Sequence, residues 1–280
     1  MGCCPVSGKS AAQKSKLYDG IMRMEKNFAR KVNKAAIPVC NIMGVDIAAI
    51  NMDWLLSFTR ENIRDLSGDY MCVSNVHTTV MSYDDPAYCA IQNGGIMAIP
   101  DGGPLSSIGR KRGFQNMART TGPSYLEEVL KISAEHGWSH YFYGSTEETL
   151  SKLRKMLAQR YPDVQVAGMY SPPFRSMTAD EDEAIIAQIN ACEADFVWVG
   201  LGAPKQEIWM ADHQNCVSGL MVGVGAAFDY LAGNISRAPQ WMQDCNLEWL
   251  YRLLQDPKRL FKRYMATNVK FIWHAVLRGK

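Results

Sequence analysis

The 280-residue sequence has only 8 Cys and 12 Pro and an ordinary share of glycine, and it has no long uncharged apolar run. Its 22 Gly and 12 Pro are too few for a collagen-like or low-complexity chain. No segment approaches the roughly 18 to 20 apolar residues of a membrane-spanning helix, and the first residues lack the apolar core of a signal peptide. The composition, 47% hydrophobic and 21% charged, therefore predicts one or two compact soluble domains in the cytosol.

Metal-binding and disulfide patterns are also missing. Eight cysteines are too few for a disulfide scaffold, and no C-x-x-C pair is present. The five histidines show no ligand spacing, so we expect no structural zinc. We also expect the thiols to be inert and the protein to need no cofactor. The segment Asp180-Glu181-Asp182 matches the D-x-D metal motif of many sugar-nucleotide transferases, but it begins a predicted helix. Acidic residues are favoured there by the helix dipole, which makes helix capping the better interpretation.

Charge is nearly balanced overall, at +2, but it is unevenly distributed. Residues 1–36 and residues 247–280 each carry eight basic and two acidic side chains, a net +6 at each end, which leaves about −10 for the middle. Basic ends favour an anionic partner such as a membrane surface, phosphates or nucleic acid. For the N-terminal segment alone, a solvated tail is an equally good interpretation.

Short apolar runs alternate with helical patterns from about residue 37, which predicts a Rossmann-like α/β fold with a mostly parallel sheet and flanking helices. The predicted strands are residues 38–43, 70–74, 95–99, 140–143, 164–167, 195–199 and 219–223. The predicted helices are residues 52–66, 86–92, 124–136, 147–160, 179–191 and 205–212. We divide the chain into a flexible basic leader (1–36), an α/β core (37–233) and a helical, basic, aromatic-rich C-terminal appendage (234–280).

Ligands of parallel sheets bind beyond the carboxyl ends of the strands, and four such segments carry suitable residues. Asn75 follows one strand and can bind a sugar or phosphate, or cap a helix. Asp101 precedes Gly102-Gly103, which lets a substrate hydroxyl approach its carboxylate closely enough for proton abstraction. A simple Asp-Gly turn is the alternative.

The other two segments are glycine-rich turns. Residues 199–207 combine a strand, Gly200 and Gly202, and a helix start with Lys205, an arrangement that suits a diphosphate or a plain strand-to-helix turn. Residues 222–229 resemble a dinucleotide fingerprint, but they lack the downstream strand and acidic residue of a true one.

Taken together, these motifs resemble the WecG/TagA/CpsF family of bacterial glycosyltransferases from about Asn41 to about Phe271. The motifs that carry the resemblance are residues 100–102 (PDG), 119–122 (RTTG), 200–207 (GLGAPKQE), 223–229 (GVGAAFD), 237–239 (RAP) and 247–253 (LEWLYRL). Val73 stands where members often carry Thr, and Ser74 beside it is the nearest hydroxyl.

The resemblance implies an inverting, metal-independent enzyme that moves N-acetylmannosamine from its UDP-activated form to N-acetylglucosaminyl diphosphoundecaprenol. It implies a role in teichoic acid or capsule-type polysaccharide synthesis and peripheral association with the anionic inner face of the bacterial membrane. The expected partners are the UDP-sugar donor, the polyprenyl-diphosphate-linked acceptor and the membrane surface, with no nucleic acid and with a homo-oligomer as a further possibility.

The resemblance also assigns roles. Asp101 matches the general base, and Arg252 and Arg259 match basic residues of an appendage that closes over the site. The complete set of expected substrate-binding residues is Asn75, Arg119, Gly202, Lys205, Gln206, Glu207, Gly223, Gly225, Asp229, Arg252 and Arg259.

Three alternatives stay open at this point. The donor can instead be UDP-glucose or UDP-N-acetylmannosaminuronic acid. From other classes, the protein can be a nucleotide-binding oxidoreductase, suggested only by the 223–225 glycines, or a noncatalytic membrane-bound scaffold.

Overall fold

The computed structural model describes residues 30–244, 247–255 and 257–277. These residues form one eight-stranded sheet in the order β1-β2-β4-β3-β8-β7-β5-β6. The strands are β1 (Val39–Ile42), β2 (Val45–Ala48), β3 (Tyr70–Ser74), β4 (Met97–Pro100), β5 (Ser139–Gly144), β6 (Gln165–Tyr170), β7 (Phe196–Gly200) and β8 (Leu220–Gly223). Only β1 runs antiparallel to its neighbour, and all other adjacent pairs are parallel. The predicted Rossmann-like, mostly parallel sheet is therefore confirmed.

Helices connect these strands and cover both faces of the sheet. Those of the first half are α1 (Met52–Asn62), α2 (Val76–Asp84), α3 (Pro86–Gly94), α4 (Gly103–Lys111), α5 (Gly122–His136) and α6 (Glu147–Arg160). Those of the second half are α7 (Ala179–Ala191), α8 (Lys205–Asp212), α9 (Ala227–Leu231), α10 (Gln240–Asp244), α11 (Glu248–Gln255) and α12 (Pro257–Phe271). A 3₁₀ turn (Lys34–Ala36) precedes β1, and a π-helical turn (Ile272–Leu277) follows α12.

Alternating side chains of the strands divide the core into two layers. On one face, residues such as Cys72 and Val199 pack against buried side chains of α3, α4, α7 and α8. On the other face, residues such as Val73 and Trp198 pack against α1, α5, α6 and α9. Phe271 and Ala275, near the end of the described chain, are buried in the first layer. The C-terminal segment is thus packed against the α/β core.

Strand β2 and helices α2, α4 and α9 are absent from the sequence-based assignment. Met43 and Gly44 form the tight turn before β2 with φ of 52° and 93°, which allows an antiparallel hairpin where we expected a loop. Helix α2 begins directly after β3 because Asn75 and Thr78 form a capping box. The apolar pattern of these short helices covers too few residues to give a clear helical period.

The acidic segment at 180–182 lies in the first turn of α7, and Thr178 and Glu181 form a capping box there. The interpretation as a helix start is confirmed. The leader up to residue 29 lies outside the described residues, and the proposed three-part division of the chain stays a prediction.

Candidate active site

A cavity of about 1280 Å³ lies at the carboxyl edge of the sheet. It is lined by residues that follow four adjacent strands, β4, β3, β8 and β7, and by side chains of α4, α11 and α12. This is where ligands of open parallel sheets bind, because the connections on the two sides of the sheet diverge there. Nine of the twelve residues that the sequence singles out line it: Asn75, Asp101, Arg119, Gly202, Gln206, Glu207, Gly223, Gly225 and Arg252.

Asp101 occupies the turn between β4 and α4. Its backbone N–H donates a hydrogen bond to the Ser74 carbonyl at 2.7 Å, which fixes the turn against the neighbouring strand. The side chain is half-buried and lines the cavity. Burial raises the pKa of the Asp101 carboxyl, and the positive charges of Arg252 and Arg119 act in the opposite direction. An ionised Asp101 is a stronger base here than an exposed aspartate.

Two arginines from distant parts of the chain lie beside Asp101, and the carboxylate of one glutamate lies between them. Glu248, the first residue of α11 and buried, forms an ion pair with Arg119. Its other oxygen lies 3.6 Å from Arg252, one helical turn further along α11. The Arg252 guanidinium lies over the Tyr230 ring, at 5.1 Å from the centroid. Its buried Nε has no hydrogen-bond partner within the described residues.

Gln206 connects the two glycine-rich turns. Its Oε1 accepts hydrogen bonds from the N–H groups of Gly202 and Gly225, at 3.2 and 3.0 Å. Its Nε2 donates to the Gly223 carbonyl at 3.1 Å and to Glu207 at 2.8 Å. The amide of Gln206 therefore already uses its oxygen and its nitrogen in hydrogen bonds that join the two turns, although the side chain also lines the cavity.

Gly223 has no room for a side chain at this junction. A Cβ added there would lie 2.8 Å from the Met210 side chain and 3.0 Å from Nε2 of Gln206. Glu207, on the other side of Gln206, is fully buried, and burial raises the pKa of its carboxyl. Both residues line the cavity and constrain the geometry of the turns.

The two polar residues after β3 have structural partners. Oδ1 of Asn75 accepts hydrogen bonds from the N–H groups of His77 and Thr78, which confirms the capping interpretation. Asn75 also lines the cavity, so capping and ligand binding are compatible. The Ser74 hydroxyl is fully buried, donates to Gln92 and is not among the groups that line the cavity.

Two of the remaining three expected binding residues, Lys205 and Asp229, are not among the residues that line the cavity. Lys205 is exposed at the start of α8, and it is not among the lining residues. Asp229 accepts hydrogen bonds from Thr149 and Asn234, at 3.4 and 3.0 Å, which ties α9 to α6. Arg259 belongs to α12, but its side chain lies outside the described residues. Binding roles for these three stay predictions.

Sequence reasoning did not select Glu248, Tyr230 or Lys111, all of which line the cavity. For Glu248 a signal was available, because it precedes Arg252 by four residues and an i, i+4 pair on a helix is an ion-pair spacing. For Tyr230 and Lys111 no local signal exists, since only packing brings their helices to the site.

Comparison with known proteins agrees with this geometry. The model of the glycosyl transferase WecG/TagA/CpsF family matches residues 40–280, most of the chain. The chain belongs to this glycosyltransferase family.

Curated relatives match most of the length of this family member. Two are proteins of Staphylococcus aureus, from strains MW2 and NCTC 8325 / PS 47, each 27% identical over 223 residues. The matched region covers 79% of this transferase and 86% of each relative. Both relatives are named N-acetylglucosaminyldiphosphoundecaprenol N-acetyl-beta-D-mannosaminyltransferase.

Two features of the described part of the transferase bear on metal binding and membrane spanning. No three His, Cys, Asp or Glu side chains converge there as a metal site would require. None of the described helices combines the length and the apolar character needed to cross a bilayer. Metal independence and membrane association stay predictions.

Proposed function

We propose that the protein transfers N-acetylmannosamine from UDP-N-acetylmannosamine to N-acetylglucosaminyl diphosphoundecaprenol, with inversion, in teichoic acid or capsule-type polysaccharide synthesis. The observation that carries the proposal is the placement of Asp101 beside Arg119 and Arg252 in one cavity. The activity for which the Staphylococcus aureus relatives are named supports the choice of donor sugar and acceptor.

The chemistry needs one base and a stabilised leaving group. The Asp101 carboxylate accepts the proton of the attacking acceptor hydroxyl, and the hydroxyl oxygen bonds to the anomeric carbon of the donor sugar. The bond from that carbon to the UDP oxygen breaks on the opposite face, and the electron pair leaves with UDP. Arg119 and Arg252 stabilise the charge that develops on the diphosphate.

The donor diphosphate fits the glycine-rich end of the cavity. Gly202, Gly223 and Gly225 follow β7 and β8 and remove side-chain bulk, so that a diphosphate can approach the main chain. Gln206 keeps the two turns at a fixed distance by accepting from one N–H group of each. These turns are thus preorganised before a donor binds.

An apolar stripe on the C-terminal segment supports peripheral binding to the inner face of the membrane. We call it the α12 stripe; it consists of Phe261, Met265, Val269, Ile272 and Trp273, which are 49 to 60% exposed. The spacing of three or four residues places these side chains along one side of the helix. Such a helix lies in the headgroup region with its apolar side toward the acyl chains, which suits an acceptor held in the bilayer.

The test is UDP release from a panel of UDP-sugars, with and without a short-chain analogue of the lipid acceptor, in EDTA. The proposal expects acceptor-dependent release from UDP-N-acetylmannosamine, unaffected by EDTA. Release only from UDP-glucose or UDP-N-acetylmannosaminuronic acid would replace the donor and keep the mechanism. No release from any donor would favour the scaffold alternative.

The oxidoreductase alternative loses its one supporting motif in the structure. The turn at 223–225 leads into α9, which has only five residues, whereas a dinucleotide fingerprint opens a long helix at the diphosphate. Nicotinamide fluorescence should therefore be unchanged when the protein is added.

A further inference from the structure

A cluster of buried polar side chains connects the Asp101 turn with the glycine-rich turns. Each of its members is at most 4% exposed. Polar groups at this depth cost stability unless they find hydrogen-bond partners, so their presence in one cluster needs a reason. We call the cluster the α3 network; it consists of Ser74 of β3, Tyr88 and Gln92 of α3, and Gln206 and Glu207 of α8.

The network begins at the strand end that fixes Asp101. The Ser74 carbonyl accepts a hydrogen bond from the Asp101 backbone N–H at 2.7 Å, and the Ser74 hydroxyl donates to Oε1 of Gln92. Nε2 of Gln92 then donates to the Tyr88 hydroxyl at 3.0 Å. Ser74 therefore joins the turn that carries the base to helix α3.

The network continues through Glu207 to the glycine-rich turns. The Tyr88 hydroxyl lies beside the Glu207 carboxyl; burial raises the pKa of the hydroxyl, and the carboxyl charge raises it further. Oε1 of Glu207 accepts a hydrogen bond from Nε2 of Gln206 at 2.8 Å. Gln206 in turn joins the turns of Gly202 and Gly225. Contacts between neighbouring side chains thus lead from the base to the donor end of the cavity.

Glu207 determines which way the Gln206 amide points. Because Oε1 of Glu207 accepts a hydrogen bond, the NH₂ group of Gln206 faces Glu207 and the amide oxygen faces the glycine N–H groups. A reversed amide would set its NH₂ group against the N–H groups of Gly202 and Gly225, and both hydrogen bonds would be lost. The bracing of the two turns therefore depends on the carboxyl behind Gln206.

Glu207 is retained at a cost to stability. The side chain is fully buried, and its second oxygen, Oε2, has no hydrogen-bond partner within the described residues. Burial raises the pKa of the carboxyl, and no cation in the described part of the chain counters that effect. An apolar side chain of similar size would stabilise the fold at least as well, which indicates that this glutamate serves the site.

We propose that Tyr88, Gln92 and Glu207 are positioning residues, which hold the turn of the base and the turns of the donor at a fixed separation. This inference rests on the proposed function for the identity of the reaction. In an inverting displacement the attacking oxygen, the anomeric carbon and the leaving oxygen lie nearly in line. A displacement of about 1 Å between the groups that hold them costs roughly 100-fold in rate. The three residues act through Ser74 and Gln206.

Tyr88→Phe tests the network by removing one hydroxyl, with UDP release as the assay. We expect kcat to fall at least tenfold while the donor KM changes less than about twofold, because Gln206 still braces the glycine-rich turns. The matched control is Tyr125→Phe. Tyr125 is also buried, and its hydroxyl lies 2.7 Å from Oγ1 of Thr59 in the other layer of the core. Both variants should lose similar stability in urea, but only Tyr88→Phe should lose kcat; equal kcat values would overturn the inference.

A double-mutant cycle tests whether the network acts as one unit. Ser74→Ala removes the donor to Gln92, and Gln92 connects Ser74 with Tyr88. In one network, the double variant Ser74→Ala/Tyr88→Phe should have a kcat no lower than that of the slower single variant. Ser133→Ala, at a buried serine of α5, is the control and should not change the kcat of Tyr88→Phe. Effects of Ser74→Ala and Tyr88→Phe that multiply would contradict a single network.

Variants of Glu207 separate positioning from stability. Glu207→Leu removes a buried carboxyl, so the free energy of unfolding should equal or exceed that of the wild type, whereas kcat/KM should fall at least tenfold. Glu207→Gln retains an oxygen that can accept from Gln206, so it should recover most of the lost kcat/KM. Equal losses of kcat/KM in the two variants, or no loss in Glu207→Leu, would contradict the role of Glu207 in orienting the amide.

The outcomes separate this inference from the proposed function. A wild-type protein that transfers sugar and keeps its kcat in Tyr88→Phe would retain the transferase proposal and lose the positioning role. A wild-type protein that releases no UDP from any donor would lose the transferase proposal. The network is then tested by the same cycle in the free energy of unfolding, where non-additive effects of Ser74→Ala and Tyr88→Phe would support it and additive effects would overturn it.

Discussion

Arg119 forms an ion pair with Glu248, and 129 residues of chain separate the two. Arg119 precedes α5 in the α/β core, and Glu248 begins α11 in the C-terminal segment. Because Glu248 also faces Arg252, a single buried carboxylate sets the position of both guanidinium groups beside Asp101. The candidate active site is therefore completed by the C-terminal helices.

Removal of the Glu248 charge should weaken donor use without unfolding the protein. In Glu248→Gln the two arginines lose the carboxylate that orients them, so we expect kcat/KM to fall at least tenfold. Glu128→Gln is the control, since Glu128 pairs only with Lys131 on the surface of α5. Steady-state kinetics with varied donor would detect the change, and an unchanged kcat/KM would show that the arginines keep their positions without Glu248.

Asp101→Asn should fold normally and lose at least 100-fold in kcat, because an amide cannot accept the acceptor proton. The wild-type rate should fall as the pH is lowered through the pKa of Asp101, which burial raises above the ordinary value of about 3.9. A pH profile of kcat/KM measures the position of this acid limb. Near-wild-type turnover of the asparagine variant would exclude Asp101 as the base.

Gln206→Ala should lower both stability and donor affinity. The variant leaves the N–H groups of Gly202 and Gly225 without their acceptor, at a cost of about 1 to 3 kcal/mol in the free energy of unfolding. The turns should then separate, and KM for the donor should rise more than kcat falls. Urea unfolding and donor kinetics together test this; a stable variant with an unchanged donor KM would contradict the bracing role.

The membrane prediction is best tested with point variants. Deletion of the appendage would remove Phe271 and Ala275 from the core and confuse unfolding with loss of binding. Phe261→Glu combined with Met265→Glu should instead reduce sedimentation with anionic vesicles. Phe174→Glu is the control, an exposed phenylalanine outside the α12 stripe. Equal vesicle binding of all three proteins would remove the stripe from the membrane interaction.

His140 should make folding stability depend on pH. Its ring is fully buried between the Ser133 hydroxyl and Trp198, and burial lowers its pKa to about 3. In the unfolded chain His140 has a pKa near 6.5 and is protonated below that pH, whereas in the folded chain it stays neutral. Its contribution to the free energy of unfolding is therefore complete above about pH 6.5 and is lost as the pH falls. The free energy of unfolding should decrease by about 2 kcal/mol from pH 7 to pH 5. Urea unfolding at both values measures it, and His140→Gln should reduce the difference.

The regular part of the fold follows from local patterns in the sequence. Helices α6, α7 and α8 and strand β3 have the predicted bounds, because each combines an apolar pattern of sufficient length with a recognisable boundary. Local motifs also located Asp101 and the two glycine-rich turns, since residues that end parallel strands share one edge of the sheet.

Which groups these residues contact depends on the tertiary structure. The sequence placed Gln206 near the ligand, but only the folded turns show that its amide is used to join them. It marked the 247–253 segment without indicating that Glu248 would reach Arg119, because no local pattern encodes a contact across 129 residues.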